Sequence, residues 1–372
     1  MSLRLRTITR EEHLDFLRGR PTASHMQVPA WGEVKAEWRT ESIGWIDGAG
    51  RVVGAGLVLY RQLPKVKRYL AYLPEGPVID WFDADLEGWL RPMLTHLKEQ
   101  GAFSVKMGPP VAIRRWEAPT VKEAIGAGQA KRLRDIDPDW YEPRAFDLAE
   151  RLRRTGWLQG EDGGAGFGDV QPRYVFQVPL ANRSLDDIQR GFNQLWRRNI
   201  KKAEKSGVEV VQGSYDDLAV FHQLYLVTAE RDHFIPRPLA YFQRMWRALT
   251  AEDPNRMRLY LAYLDGEPLA ATTMLTVGEH VWYSYGASAN HRREVKPSNA
   301  IQWRMMRDAY ALGAATYDLR GISDTLDEDD PLFGLIQFKL GTGGHAVEYL
   351  GEWDFPLNKL LHKALDLYMS RR

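Results

Sequence analysis

The stretch RLYLAYLDGEPLAATTMLTVGEHVWYSY, residues 258–285, contains three β-prone segments separated by short turns. The first two meet at Asp265-Gly266, a pair that tolerates the positive φ angles of a tight hairpin turn. A helical pattern over 298–312 and a short apolar segment over 316–319 follow. The predicted order is therefore three strands, a helix and a fourth strand.

The same order occurs in the first part of the chain. A turn at Asp47-Gly48 joins two β-prone segments, and Gly101-Ala102 follows a helical segment as Gly313-Ala314 does in the later copy. Two copies of one pattern indicate an internal duplication. The sequence predicts an α/β (α+β) protein with two tandem domains, each a mixed twisted sheet flanked by helices. The segments of the earlier copy are 42–47, 51–60, 69–73, 85–100 and 103–107.

The glycine-rich stretch 161–169, EDGGAGFGD, is typical of a linker and places the domain boundary near it. We expect a first domain over 1–165, completed by a C-terminal helix within 352–372. The second domain is expected over 166–351. Two pairs beyond the linker have the spacing of capping boxes: Ser184 with Asp187, and Ser214 with Asp217.

Composition excludes several classes of protein. The 372 residues are 44% hydrophobic and 27% charged, which is typical of a folded globular chain. The net charge of +1 gives no overall field for nucleic acid or membranes, so an anionic ligand needs a local patch. The absence of cysteine excludes disulfides and thiolate chemistry. With neither a signal-peptide pattern nor a membrane-length apolar run, we expect a cytoplasmic protein, and a monomer.

Several catalytic motifs are also missing. The sequence has no H-E-x-x-H zinc pattern, no G-x-S-x-G nucleophile pattern and no P-loop or dinucleotide fingerprint. We therefore expect no metal site.

Five motifs are distributed over nearly the whole chain: Gln27-Val-Pro-Ala-Trp31-Gly-Glu-Val-Lys35, Tyr72-Leu-Pro-Glu-Gly76-Pro77, Arg197-Arg-Asn-Ile-Lys-Lys-Ala203, Glu230-Arg-Asp-His-Phe234-Ile-Pro-Arg237 and Phe338-Lys339-Leu-Gly341. In order and spacing these motifs resemble the FemABX family. The duplicated domain resembles the acyltransferase fold of the GNAT (N-acetyltransferase-like) type.

Members of that family are non-ribosomal peptidyltransferases that move an amino acid from aminoacyl-tRNA to the side-chain amine of a peptidoglycan precursor. The resemblance implies the same activity here, with aminoacyl-tRNA as co-substrate and no other cofactor. Glycine or alanine is the amino acid that we expect. The acceptor is a UDP-linked or lipid-linked muropeptide, and the lipid-linked form implies peripheral contact with the inner face of the plasma membrane.

The resemblance also assigns residues by motif position. Lys35 and Arg237 are implied to hold the diphosphate of the precursor, and the tyrosines of the same groove are Tyr241, Tyr283 and Tyr285. Alternation along a strand places Tyr283 and Tyr285 on one face. Lys339 is implied to lie near the reacting centre, where we expect its cation to stabilise the oxyanion of the tetrahedral intermediate.

A basic cluster is a second candidate binding surface. Its members are Arg197, Arg198, Lys201 and Lys202, spaced over one helix. A polyanionic donor such as tRNA fits this cluster, and such binding weakens with salt. A solvated helix face, with Glu204 and nearby acids as partners, explains the same pattern.

The chain departs from the family pattern in two places. Family members often have an aspartate in a Lys-Ile-Asp-Pro-like motif, where this chain has Lys106-Met107-Gly108-Pro109. Gly108 cannot act as a base, so we expect desolvation to lower the pKa of the attacking amine, with Asp80 as a weaker alternative base. The short segment between Phe242 and Arg258 leaves no room for the helical-hairpin arm of some members.

Two other functions fit a GNAT-like fold. An acetyl-CoA-dependent N-acetyltransferase needs a glycine-rich pyrophosphate loop, but the corresponding stretch 293–298 has lysine and serine at the glycine positions. A catalytically inactive binding protein is the second alternative, and Gly108 favours it. Retention of Lys35, Arg237 and Lys339 argues against that alternative.

Overall fold

The computed structural model describes residues 3–64, 66–128, 130–160 and 170–369. By its internal contacts the chain divides into two compact units. Unit 1 comprises 1–115, 140–173 and 347–372, and unit 2 comprises 116–139 and 174–346. The expected linker at 161–169 lies outside the described residues.

The strands of the described residues are β1 (Arg4–Thr7), β2 (Arg39–Ile46), β3 (Val52–Gln62), β4 (Tyr69–Leu73), β5 (Ala102–Met107), β6 (Ala112–Glu117), β7 (Trp140–Tyr141), β8 (Leu158–Gln159), β9 (Tyr174–Pro179), β10 (Glu209–Gly213), β11 (Met257–Leu264), β12 (Glu267–Val277), β13 (His280–Ser288), β14 (Thr316–Gly321), β15 (His345–Tyr349) and β16 (Trp353–Phe355). The α-helices are α1 (Arg10–Arg18), α2 (Pro29–Val34), α3 (Leu86–Glu99), α4 (Ala118–Ala127), α5 (Pro143–Arg154), α6 (Leu185–Gly191), α7 (Gln194–Lys205), α8 (Leu218–Asp232), α9 (Leu239–Glu252), α10 (Pro297–Ala311), α11 (Phe333–Leu340) and α12 (Lys359–Met369).

Unit 1 contains a sheet with the strand order β1-β2-β3-β4-β5-β16-β8. β2, β3 and β4 form an antiparallel meander, and α3 then leads to β5, which runs parallel to β4. The side chain of Asp85 caps α3 by accepting a hydrogen bond from the Gly88 amide at 3.0 Å. The apolar stripe of α3, which includes Leu90 and Leu97, is buried in the core of unit 1.

Unit 2 repeats this arrangement. Its sheet has the order β10-β11-β12-β13-β14-β9, with β11, β12 and β13 antiparallel. α10 leads from β13 to β14, and these two strands pair in parallel only over 280–282 with 316–318. The core of this unit includes Trp196, Met305 and Tyr317. The recurrence of the order in both units confirms the predicted mixed α/β fold.

The units differ from the expected domain limits at 116–139, 166–173 and 347–351, and the first of these is the longest. Residues 116–139 belong to unit 2, because Trp116, Val121 and Leu133 are buried in its core, where Trp116 packs near Tyr174. Burial of its apolar side chains places this segment in unit 2, although in sequence it lies between two parts of unit 1. The C-terminal segment from 347 belongs to unit 1, where β16 pairs with β5.

Candidate active site

Lys339 is a buried cation on α11 of unit 2, with 3% of the residue exposed. Its Nζ donates to the carbonyl oxygens of Gly321 at 2.6 Å and Arg320 at 3.2 Å. Burial lowers the pKa of Lys339 to about 7, although nearby Asp318 acts in the opposite direction. The side chain can therefore exist as either an ammonium or an amine near neutral pH.

Gly341, the last residue of the lysine motif, lies against a tryptophan that leaves no room for a side chain. The indole nitrogen of Trp196 on α7 donates to the carbonyl of Phe338 at 2.8 Å. A Cβ at position 341 would overlap the same indole ring. The amide of Asn193 also donates to the Gly341 carbonyl at 2.8 Å. These contacts hold the end of α11 against α7 and fix the backbone that carries Lys339.

A buried carboxylate lies in the same region of unit 2. Asp318 on β14 is 2% exposed, and it accepts hydrogen bonds from the amide of Arg320 at 2.6 Å and from Gln177 at 3.1 Å. His280 Nε2 lies 3.2 Å from the same carboxylate. Burial alone would raise the pKa of Asp318, but His280, Arg320 and Gln177 lower it overall. Arg320 has φ of 62° and supplies one of the two carbonyls that hold Lys339.

An aromatic cluster surrounds Arg237, also in unit 2. The Arg237 guanidinium lies 5.1 Å from the ring centre of Tyr241, a cation–π arrangement. The hydroxyls of Tyr241 and Tyr285 are 3.2 Å apart, and both rings pack against Phe242. Nε2 of His222 lies 3.0 Å from the Arg237 carbonyl. The structure thus brings Arg237, Tyr241 and Tyr285 together, as an anion-binding group requires.

Tyr283 lies in a different environment, and the expectation that it shares a strand face with Tyr285 is wrong. The register between β12 and β13 shifts from Thr272–Gly286 to Met274–Tyr283, so β13 contains one extra residue. This β-bulge interrupts the alternation of side chains. Tyr285 packs beside α8 and α9, whereas Tyr283 packs on the core that contains α10.

Lys35 belongs to unit 1 and ends α2. Its Nζ lies 5.2 Å from the ring centre of Trp31, one turn earlier in the same helix. Gln27, just before this helix, donates to the carbonyl of Pro74 at 2.7 Å and accepts from the amide of Leu57 at 2.9 Å. The first two sequence motifs therefore meet in unit 1, where Gln27 joins them.

The predicted basic cluster divides into two kinds of residue. Arg197 donates to the backbone carbonyls of Arg190 and Phe192, so it holds the turn between α6 and α7. Arg198, Lys201 and Lys202 are exposed on α7. Of the four predicted residues, the last three are therefore exposed cations, and exposed Glu204 and Lys205 follow them on the same helix.

A carboxylate that the sequence analysis did not identify lies next to Gly108. The Cγ of Glu352 is 3.6 Å from the position that a Cβ at 108 would occupy. Glu352 is 2% exposed and accepts hydrogen bonds from the Tyr72 hydroxyl at 2.5 Å and the Val170 amide at 2.9 Å. Asp80 is exposed, and its carboxylate accepts from the amide of Phe82.

These additional residues have no local sequence signal. Glu352 comes from the C-terminal segment, far along the chain from Gly108, and Asp318 and His280 occur in ordinary strand patterns. Within the described ranges, no group of three or more histidine and acidic side chains is placed to hold a metal ion. Among the same residues, no helix has the length and apolar composition needed to span a membrane.

Comparison with known proteins identifies the family. The sequence pattern of the FemAB family matches residues 8–268 and 263–369, which is nearly the whole chain. The chain belongs to the FemAB family. The predicted resemblance to FemABX proteins is confirmed by this match.

The FemAB assignment agrees with full-length relatives. The chain is 24% identical to the lipid II:glycine glycyltransferase of Staphylococcus haemolyticus and 23% identical to that of Staphylococcus aureus strain USA300, with 98% of this chain and 95% of each relative covered. The crystal structure of FemX covers 97% of this chain and 99% of its own, with a TM-score of 0.81 and 23% identity. A tandem GNAT protein of the clavulanic acid biosynthesis pathway has a TM-score of 0.50 and 12% identity. The two solved structures support the fold.

Proposed function

We propose that this FemAB protein transfers an amino acid, glycine or alanine, from aminoacyl-tRNA to the side-chain amine of a peptidoglycan precursor. The chain is an aminoacyltransferase in this proposal. The observation that carries it is the family match over nearly the whole chain, together with relatives named lipid II:glycine glycyltransferases. Those names favour the lipid-linked acceptor over the UDP-linked one. No further cofactor is needed, because the ester of the donor is already activated.

The proposed reaction forms one amide bond and breaks one ester bond. The acceptor amine attacks the ester carbonyl, and the resulting tetrahedral intermediate bears an oxyanion. Its collapse expels the ribose oxygen of the tRNA, and the proton lost by the amine balances the charge on that leaving group. The amine must be neutral to attack, and desolvation in the site lowers its pKa toward that state.

We assign the oxyanion to Lys339. A cation there stabilises charge that develops only in the transition state. It therefore raises turnover rather than the affinity for the acceptor. The two backbone carbonyls that accept from Nζ fix the direction of the ammonium. A pKa of about 7 leaves a substantial ammonium fraction at neutral pH.

Arg237 is assigned to the diphosphate of the precursor. Its guanidinium suits phosphate oxygens, and the linked hydroxyls of Tyr241 and Tyr285 offer further hydrogen bonds. We assign phosphate binding to Lys35 as well, from its motif position.

The donor tRNA needs a basic surface, because its backbone is negatively charged. We assign this surface to the exposed residues Arg198, Lys201 and Lys202 of α7.

The decisive experiment mixes the purified protein with tRNA charged with glycine, alanine or serine and with either the lipid-linked or the UDP-linked precursor. A gain of one amino-acid residue in acceptor mass for one combination supports the proposal and names both substrates. Acetyl transfer from acetyl-CoA would instead support an N-acetyltransferase. Precursor binding without any transfer would support a catalytically inactive binding protein.

A further inference from the structure

The last residues of β14, from Asp318 to Gly321, form a β-bulge that brings two carbonyl groups to Lys339. Over this stretch β14 contains one residue more than the facing stretch of β9. Arg320 in the bulge has φ of 62°, a left-handed conformation that is uncommon for residues other than glycine. The carbonyl oxygens of Arg320 and Gly321 accept from Lys339 Nζ at 3.2 and 2.6 Å. The bulge therefore forms the binding site of the Lys339 side chain.

The side chain of Asp318 holds this bulge in shape. One oxygen of its carboxylate accepts from the amide of Arg320, two residues later, at 2.6 Å. The other oxygen lies 3.1 Å from Gln177 Nε2 and 3.2 Å from His280 Nε2, and the residue is only 2% exposed. An aspartate that bonds to its own backbone in this way stabilises a local turn. A strained left-handed residue persists only where its surroundings determine its conformation, and the bond from the Arg320 amide to Asp318 does so here.

The charge of Asp318 also acts on Lys339. Burial lowers the pKa of Lys339 to about 7, and the positive charge of Arg320 acts in the same direction, whereas the negative charge of Asp318 opposes both. Burial would raise the pKa of Asp318 itself, but His280 and Arg320 lower it overall, so the carboxylate is ionised at neutral pH. The neighbouring phenol of Tyr317 is neutral there, because burial raises its pKa well above the ordinary value. Asp318 is thus the negative charge that favours the ammonium form of Lys339.

We propose that Asp318 is a positioning residue of the transfer reaction, which holds the bulge that directs Lys339 and supplies the negative charge that keeps this lysine a cation. This inference rests on the proposed function and deepens it, because it states what maintains an oxyanion-stabilising cation in a buried site. Asp318 acts through Lys339 and requires no contact with either substrate. Without the carboxylate, burial and the charge of Arg320 would favour the neutral amine, which lacks the charge that stabilises an oxyanion.

Asp318→Asn separates the charge from the turn, because the asparagine side-chain oxygen can still accept from the Arg320 amide. We expect the pKa of Lys339 to fall by about one pH unit or more, the usual effect of removing a nearby opposite charge. NMR titration of the protein with lysine ¹³C-labelled at Cε measures this pKa, and the signal missing from Lys339→Met identifies the residue. The titration needs no substrate, so it tests Asp318 even in a protein that transfers no amino acid.

The pH dependence of turnover provides a second readout. The ratio of turnover in Asp318→Asn to that in the wild type should approach one at acid pH, where Lys339 is an ammonium in both proteins. Well above pH 7 the ratio should fall about tenfold for each pH unit by which the pKa of Lys339 has fallen. The attacking amine titrates alike in both proteins, so it cancels in the ratio. A purely structural role of Asp318 would lower turnover by one factor at every pH.

Asp47→Asn is the matched control. Asp47 is a buried aspartate of unit 1 that accepts from the amide of Ala49, two residues later, at 2.9 Å. It therefore holds its own turn as Asp318 does, but it does not act on Lys339. This variant should keep the wild-type pKa of Lys339 and the wild-type pH profile.

Circular dichroism checks that each variant is folded. Should Asp318→Asn fail to fold, Arg320→Gly replaces it, because glycine adopts the positive φ without strain. Loss of the guanidinium leaves the charge of Asp318 unopposed and should raise the pKa of Lys339. An unchanged pKa of Lys339 in folded Asp318→Asn, a turnover ratio that does not depend on pH, or a pKa in Arg320→Gly that does not exceed the wild-type value would overturn the proposal.

Discussion

Lys339 combines a positive charge with almost complete burial, and its proposed role can be separated from the phosphate binding proposed for Arg237. Lys339→Met keeps the length of the side chain but removes the cation. We expect turnover to fall about 10²–10³-fold with little change in acceptor KM, as for loss of one oxyanion donor. Arg237→Met should instead raise acceptor KM. Steady-state kinetics decide the matter, and unchanged turnover in Lys339→Met would exclude a catalytic cation.

The burial of Lys339 also predicts a pH dependence of stability. Its folded-state pKa of about 7 lies below the ordinary value of 10.5. Between these two values the unfolded chain binds more protons than the folded one, so this residue makes the free energy of unfolding rise with pH. We expect Lys339→Met to gain most over the wild type below pH 7 and to lose this advantage as the pH rises. Urea unfolding at several pH values checks this, and a pH-independent difference would contradict it.

At the scale of a helix, α11 offers two glycine positions with opposite surroundings. A Cβ at 341 would overlap the Trp196 indole, whereas a Cβ at 334 meets nothing within 4 Å. Gly341→Ala should therefore destabilise the protein by about 1–3 kcal/mol through overpacking. Gly334→Ala, the matched control, should be neutral or stabilising by up to about 1 kcal/mol, because glycine disfavours helix. Thermal unfolding compares the two variants. Equal melting temperatures would show that the Trp196 indole moves aside at little cost in free energy.

Helix α7 carries Arg197, which bonds to two backbone carbonyls, and exposed cations that we propose contact tRNA. Replacing Arg198 and Lys201 with alanine should weaken tRNA binding and flatten its dependence on salt, because fewer phosphate counterions are released. Lys98→Ala on α3 serves as the control for an exposed lysine in unit 1. Arg197→Ala should lower stability, since its side chain satisfies two backbone carbonyls. Filter binding over a salt series tests this, and a salt-independent affinity would rule out the assignment.

Some elements could be predicted from sequence because their signals are local. The helix expected over 85–100 is α3, the helix expected over 298–312 is α10, and Ser184 with Asp187 forms the expected capping box. The pair Ser214 and Asp217 does not cap a helix in that way: α8 begins only at Leu218, and the two side chains bond to each other in the preceding turn.

Other features depend on distant contacts and could not be predicted. The bulge in β13 arises from pairing with β12, so strand alternation alone misplaced Tyr283. Residues 116–139 join unit 2 through packing of Trp116, and Glu352 reaches Gly108 across most of the sequence. The positions of Lys35, Arg237 and Lys339 could be named from motifs, but their surroundings required the fold.

At the scale of the whole molecule, two copies of one α/β unit in a single chain characterise this FemAB protein. Each unit builds a meander, a crossover helix and a parallel strand, yet only unit 2 contains the buried Lys339 and the cluster around Arg237. The two units thus share one arrangement of elements but differ in the side chains that they carry. We expect the oxyanion chemistry to depend on unit 2.

The proposed aminoacyl transfer is tested by following ¹³C-labelled glycine from charged tRNA to the lipid-linked precursor, with fragmentation mass spectrometry of the product. We predict one labelled residue on the side-chain amine of the stem peptide with the wild type. Lys339→Met should give little product at equal acceptor binding. If the folded protein added no amino acid to either precursor from any charged tRNA, the proposed aminoacyl transfer would be wrong.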